Sequence, residues 1–201
     1  MLKEFRNNKI LLAYYGGSTA YGTKTSNSDI DVIVVLEDIK GSMHISNEEL
    51  GIEYYVFGKE EYDRKMTFNN EVTPYLKVFN DDVLAEVDPI ILDESFKSKY
   101  EEYRIRDFGS FIKNYIDSVI DYYQPFLLED SLKKNMYHLY RIEDQVKNYQ
   151  TNGKFQLSTD SGVTEKMMVF KDNYKTQSIL YLNELREILK YLKEVKNNVT
   201  N

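Results

Sequence analysis

A glycine-rich turn followed by a pair of acidic residues most constrains the fold of this 201-residue chain. An apolar run over residues 10–15 leads into the segment from Gly16 to Gly22, and a β-branched run over residues 32–35 follows Asp31. Each half of the feature therefore stands at the end of a predicted strand. The chain is expected to bring a glycine turn and two carboxylates close to each other.

The acidic half consists of Asp29 and Asp31, which are two residues apart. Side chains with this spacing on a strand point to the same face, so both carboxylates are expected to lie together. Two ionised carboxylates repel each other, and a bound divalent cation is the usual means of keeping both charged. Their hard oxygen ligands suit Mg²⁺ or Mn²⁺. The spacing therefore predicts a metal site.

The glycine half predicts a phosphate-binding turn. Gly16 and Gly17 allow the backbone to turn tightly and to approach a ligand closely. The N–H groups of a helix that begins after Ser18 can meet phosphate oxygens, and the Ser18 hydroxyl can donate a further hydrogen bond. Lys24 lies between the two halves and is a candidate for reaching the phosphates. A triphosphate in this turn needs its charge neutralised, which metal ions on the two aspartates would provide.

These residues resemble the signature of a known superfamily. Gly17-Ser18, ten intervening residues and then Asp29-x-Asp31 resemble the motif of the DNA polymerase β superfamily of nucleotidyltransferases. Within it, the chain is most similar to the small bacterial and phage predicted nucleotidyltransferases linked with RNA repair. The resemblance implies a third carboxylate on a neighbouring strand. Glu53 is the candidate, because it stands alone in an apolar run where an unpaired acid is costly without a metal or hydrogen bonds.

The same resemblance implies an enzyme that moves NMP from an NTP to an acceptor hydroxyl or phosphate and releases pyrophosphate. Asp29 and Asp31 are expected to hold two ions of Mg²⁺ or Mn²⁺, with Glu53 as a further ligand of the catalytic ion. Gly17 and Ser18 are expected to anchor the β and γ phosphates. ATP or CTP is the expected donor, although no residue selects the base.

The acceptor is left open among three classes. An RNA or tRNA end is expected first, then a protein, and then a small molecule such as an aminoglycoside. A catalytically silent module that only binds nucleotide is the rival interpretation. Retention of Asp29, Asp31 and Glu53 argues against that rival.

Composition restricts the remaining possibilities. The chain has no cysteine, which excludes disulfides and thiolate metal ligands. Its 26 basic and 33 acidic residues give a net charge of −7, which disfavours broad adhesion to nucleic acid or anionic membranes. The N-terminus lacks an apolar signal core, and no stretch approaches the roughly 18 apolar residues of a membrane span. A cytoplasmic protein without membrane contact is therefore expected.

The order of apolar patterns predicts an α+β fold with two domains. Residues 1–106 are expected to form the nucleotidyltransferase catalytic domain, a mixed sheet with flanking helices. The expected strands are 10–15, 30–36 and 50–57, and the expected helices are 18–22 and 59–68. Segments 72–79 and 83–92 can be either strand or helix, because Pro74 and Pro89 interrupt their periodicity.

Residues 107–201 are expected to form a C-terminal helical bundle. The first helix is predicted to begin behind a capping Asp107 and to end before Pro125. A second is predicted over residues 131–149 and a third over 174–195. The segment between them, residues 151–165, is expected to be a connection and the most mobile element.

A polar stripe marks the middle helix of that bundle. Lys134, His138, Arg141 and Gln145 recur at helical spacing, about 120° from the apolar stripe. The stripe can therefore face a cleft between the domains, where His138 and Arg141 would grip the triphosphate or the acceptor. Residues 137–141 also resemble a Tyr-His-x-x-Arg pattern in the helical half of the related family. A solvated basic face is the alternative, and the sequence leaves both open.

Overall fold

The computed structural model describes residues 2–26, 28–67, 87–104, 107–153, 155–157 and 159–199. The chain divides into two compact units, Met1–Arg106 and Asp107–Asn201. The first contains a sheet with helices, and the described part of the second contains helices without strands. The fold class is therefore α+β, as expected.

A five-stranded mixed sheet forms the first unit. Its strands are β1 Ile10–Tyr15, β2 Ile30–Leu36, β3 Ser42–Asn47, β4 Ile52–Gly58 and β5 Ile91–Leu92. They lie in the order β3-β4-β2-β1-β5. The β2 and β4 strands are parallel, and the other neighbouring pairs are antiparallel. Because β2 and β4 are parallel and start in register, their first residues lie side by side at one end of the sheet.

Both faces of the central strands β1, β2 and β4 are buried. On one face, helices α2 Lys59–Met66 and α3 Lys97–Arg104 pack against the strands through Tyr62, Met66 and Tyr100. On the other face, Phe5 covers residues such as Val34 and Tyr54. The nearly continuous apolar sequence of β2 is typical of a central strand that is covered on both sides.

The structure confirms most of the elements predicted for this unit. Strands β1, β2 and β4 lie where they were expected, and the short helix α1 spans Gly17–Ala20. The sequence did not predict β3, since its side chains are mostly polar and exposed at the edge of the sheet. Segment 72–79 lies outside the described residues, and β5 is the described strand within segment 83–92.

Helices α4 Ile112–Leu128, α5 His138–Asn152, α6 Ser161–Asn173 and α7 Ser178–Asn198 form the second unit. The α7 helix packs on α4 and α5, and α6 packs on α5. Leu139, Phe170 and Leu185 are fully buried where these helices meet. Within the described residues, no helix is long and apolar enough to cross a membrane.

Several boundaries in this unit differ from the prediction. The α4 helix begins at Ile112 rather than directly behind Asp107, and α7 begins at Ser178 rather than at residue 174. The α4 helix continues through Pro125 to Leu128, because Tyr123 and Leu127 are buried on either side of the proline. A 3-10 turn, Lys134–Tyr137, precedes α5, which begins later than expected at His138. The expected connection over residues 151–165 ends at α6, whose first turn is capped by Asp160 accepting the Val163 N–H at 2.8 Å.

Candidate active site

The three predicted acidic residues lie near one another at one end of the sheet. The parallel pairing of β2 and β4 places Asp31 directly opposite Glu53. Asp29 precedes β2, where the Ile30 N–H donates to the Gly51 carbonyl at 2.8 Å. Asp29 is exposed, whereas Asp31 and Glu53 are half-buried. The strand pairing therefore forms an acidic group from residues that are distant in sequence.

The glycine turn contacts this acidic group directly. After β1 ends at Tyr15, the Gly16 N–H donates to the Asp31 carbonyl at 3.0 Å. Gly17 follows with a φ of +52°, a conformation that favours glycine. A Cβ atom on Gly17 would lie 1.8 Å from Asp31 Oδ2. The missing side chain at Gly17 therefore makes room for the Asp31 carboxylate, and the two halves of the motif form one site.

Asp31 is the electrostatic centre of the group. Burial, followed by the negative charge of Asp29, raises the pKa of Asp31 above its ordinary value. Glu53 adds to this increase, while a hydrogen bond from the Ser18 backbone N–H opposes it. A positive ion beside these carboxylates would relieve their repulsion.

The edge strand β3 holds Glu53 in place. Ser46 Oγ donates to Glu53 Oε1 at 2.7 Å, and His44 Nε2 lies 2.6 Å from Glu53 Oε2. The His44 contact has the distance of an ion pair, but no described residue directs a hydrogen bond at the buried Oε2 atom. The His44 ring also stacks on Tyr55 at 4.9 Å. Neither His44 nor Ser46 was predicted from the sequence. The alternation of polar and apolar residues from 42 to 46 could have indicated their strand, but not its pairing beside Glu53.

The residues present suit a divalent cation by their chemistry. Asp29 and Asp31 provide hard oxygen donors, and the buried Oε2 atom of Glu53 lacks a directed donor. Among the described residues, no group of three His, Cys, Asp or Glu side chains is arranged to hold a metal ion. Glu53 is instead engaged by β3.

Other polar groups surround the turn. Lys24, the predicted phosphate ligand of the loop, is exposed. The hydroxyls of Thr19 and Thr23 are buried and have no hydrogen-bond partner among the described residues. A buried hydroxyl without a partner costs about 1–3 kcal/mol. Both threonines are therefore additional candidates for contact with a nucleotide or an ordered water.

The polar stripe of the second unit is mostly buried. Lys134 is exposed in the 3-10 turn, whereas His138, Arg141 and Gln145 are buried, so a solvated face is the wrong interpretation for these three. Arg141 Nε donates to His138 Nδ1 at 3.4 Å, and Arg141 Nη1 donates to Gln145 Oε1 at 3.0 Å. Burial, followed by the charges of Arg141 and Lys171, lowers the pKa of His138, which is therefore neutral. A nucleotide-binding role for His138 and Arg141 stays a prediction.

Comparison with known proteins identifies the class to which the fold and site belong. Residues 1–107 match the nucleotidyltransferase domain family. The chain belongs to this family and is a nucleotidyltransferase of the DNA polymerase β type, an enzyme that transfers NMP from an NTP.

Among solved structures, the chain is similar to spectinomycin adenyltransferase AAD(9) from Enterococcus faecialis, whose crystal contained ATP and spectinomycin. The two are 17% identical, the match covers 94% of each chain, and the TM-score is 0.48. No curated protein matches the chain.

Proposed function

We propose that this nucleotidyltransferase requires Mg²⁺ or Mn²⁺ and transfers NMP from ATP or CTP to an RNA or tRNA end. The observation that supports the site is the close fit of the Asp31 carboxylate into the space left by Gly17. This fit joins a phosphate turn to the acidic group that contains Asp29 and Glu53.

The metal assignment follows from the donor set. Asp29 and Asp31 would hold the divalent ions, and Glu53 would be the third ligand. When bound, such ions neutralise triphosphate charge and lower the pKa of a coordinated hydroxyl. The raised pKa of Asp31 supports this assignment, because the burial and repulsion that raise it are the conditions a cation relieves.

The residues of the chain position the reactants. The turn at Gly17 and the Ser18 hydroxyl bind the terminal phosphates, which leaves the α-phosphate beside the acidic group. The acceptor oxygen attacks the α-phosphorus, the bond to the bridging oxygen breaks, and pyrophosphate leaves. Glu53, which Ser46 and His44 hold in place, receives the acceptor proton. Positioning and electrostatics supply most of the rate.

The acceptor proposal follows the resemblance to nucleotidyltransferases linked with RNA repair. A protein hydroxyl and a small molecule such as an aminoglycoside are the other acceptors to be tested. The test incubates the purified chain with each α-labelled NTP, Mg²⁺ and one of three acceptor pools: total RNA, lysate protein or aminoglycosides. The proposal expects label in RNA together with stoichiometric pyrophosphate.

The control is the double variant Asp29→Asn plus Asp31→Asn, with thermal unfolding to verify its fold. This variant should bind no Mg²⁺ and transfer no label. Label in protein or aminoglycoside would show that the acceptor is not RNA, but it would be consistent with the proposed transferase site. Transfer that persists in the double variant would remove these carboxylates from the mechanism.

A further inference from the structure

A cationic and aromatic site lies on the second unit. Lys134 is exposed in the 3-10 turn Lys134–Tyr137, against which α6 packs. Lys171, in the last turn of α6, places Nζ 4.0 Å from the centre of the Tyr137 ring. Lys171 is half-buried, so its ammonium group has lost part of its hydration.

Among the described residues, neither lysine of this site forms an ion pair. No carboxylate in the described part of the chain lies within ion-pair distance of Lys134 or Lys171. Lys147, by contrast, is paired with Glu143 at 2.6 Å on the neighbouring α5. Burial, followed by the charge of Lys134, lowers the pKa of Lys171, and Asp172 opposes this effect. An anionic ligand would relieve this repulsion.

Contacts with buried residues hold the Tyr137 ring of this site in place. The Tyr137 ring lies 4.1 Å from the His138 ring, and His138 accepts a hydrogen bond from Arg141. Arg141 in turn donates to Gln145, whose side chain donates to the Leu157 carbonyl at 3.2 Å. This chain of contacts fixes the aromatic ring over which the Lys171 ammonium lies.

The charge distribution makes the second unit suitable for an anionic partner. Residues 1–106 contain 13 basic and 20 acidic residues, so they carry the whole net charge of −7. Residues 107–201 contain 13 of each and are neutral. The net acidity that disfavours nucleic acid is therefore confined to the first unit.

We propose that Lys134 and Lys171 bind backbone phosphates of a single-stranded RNA acceptor. This inference rests on the proposed function for its choice of RNA. A nucleoside triphosphate is neutralised by the divalent ions proposed at Asp29 and Asp31, whereas a phosphodiester brings one negative charge and no metal ion. Two lysines that form no ion pair with a described carboxylate match the phosphodiester better.

The test measures the affinity of the full chain for a labelled single-stranded RNA of about twelve nucleotides, by fluorescence anisotropy at several salt concentrations. The double variant Lys134→Ala plus Lys171→Ala should raise Kd on the order of tenfold. Each phosphate contact on a single strand contributes about 0.7 to the slope of log K against log salt, so the slope should fall by about 1.4.

A control double variant removes two positive charges elsewhere on the second unit. Lys166 and Lys193 are exposed on α6 and α7. Lys166→Ala plus Lys193→Ala should leave Kd and slope unchanged. Equal losses in both double variants, or no RNA binding by the wild type, would overturn the proposal.

Two further measurements test RNA binding by the two lysines independently of NMP transfer. Asp29→Asn plus Asp31→Asn should retain RNA binding while abolishing transfer, so loss of transfer alone leaves the lysine site intact. A titration with Mg²⁺ and ATP should give the same Kd in wild type and in the Lys134 and Lys171 double variant. Weaker ATP binding with unchanged RNA binding would make the lysines a nucleotide subsite and overturn the RNA assignment.

Discussion

A methyl group on Gly17 would lie 1.8 Å from Asp31 Oδ2, at a residue whose φ is +52°. Gly17→Ala is therefore expected to displace the carboxylate and to reduce kcat more than tenfold. Gly22 also has a positive φ, +71°, but a Cβ there meets no atom within 4 Å. Gly22→Ala therefore introduces only the backbone strain of a positive φ, which costs about 1–2 kcal/mol. Thermal unfolding should show a similar loss of stability in both variants. Steady-state kinetics should show lost activity only in Gly17→Ala. Equal activities would mean that Asp31 needs no room at Gly17.

The acidic group is expected to lower the free energy of unfolding when no cation is bound. Because the pKa of Asp31 is raised in the folded state, ionised Asp31 destabilises the fold above that pKa. Asp31→Asn is therefore expected to raise Tm at pH 8 in EDTA while abolishing transfer. The gain should disappear as pH falls below about 3.9, where the aspartate is protonated in both states.

The control for this effect is Asp121→Asn, on the exposed surface of α4. Its Tm should follow the wild type across the same pH range. A lower Tm for Asp31→Asn at pH 8 would show that the Ser18 hydrogen bond outweighs burial and repulsion at Asp31.

At the scale of elements, β3 is expected to affect catalysis through its contacts with Glu53. Ser46 Oγ donates to Glu53 Oε1 at 2.7 Å and so orients the carboxylate that is proposed to receive the acceptor proton. Ser46→Ala is therefore expected to lower kcat about tenfold and to leave the KM for NTP unchanged. Because Ser46 is exposed, Tm should not change. Ser42→Ala on the same strand is the matched control, and equal kcat in both variants would separate β3 from the reaction.

The same elements show which parts of the fold can be predicted from sequence. Strands β1, β2 and β4 are apolar and covered on both faces, so each can be predicted from its own segment of the sequence. The β3 strand is an exposed edge, and its role depends on pairing with β4. The α6 helix begins with small and polar residues and buries only Met167 and Phe170, which leaves too weak an apolar period to predict it.

The candidate site shows the same division. Asp29 and Asp31 were predictable as candidates because they stand at the start of a readable strand, and Glu53 was because the family resemblance implies a third carboxylate on a neighbouring strand. His44 and Ser46 were not, since they approach Glu53 only after β3 pairs with β4. The burial of Arg141 depends in a similar way on how the helices of the second unit pack around it, which a single helix's periodicity does not reveal.

At the scale of the whole molecule, binding of the proposed metal ion and nucleotide is expected to stabilise the fold. A ligand that binds only the folded state adds about 2.7 kcal/mol to the free energy of unfolding when its concentration is 100 times Kd. Mg²⁺ with ATP or CTP is therefore expected to raise the Tm of the wild type, and EDTA should abolish both this rise and transfer. Restoring Mg²⁺ or Mn²⁺ should recover both.

The same experiment on variants tests whether the rise in Tm depends on Asp29 and Asp31. Asp29→Asn plus Asp31→Asn should show no rise with Mg²⁺ and NTP, because the proposed metal ligands are gone. Lys166→Ala plus Lys193→Ala should respond as the wild type does, since both lysines are exposed on the second unit. A wild-type rise that survives EDTA would mean that the nucleotide binds without the metal. The acidic group would then act by repulsion of the triphosphate, and transfer would need another source of positive charge, for which Lys24 is the nearest candidate in sequence.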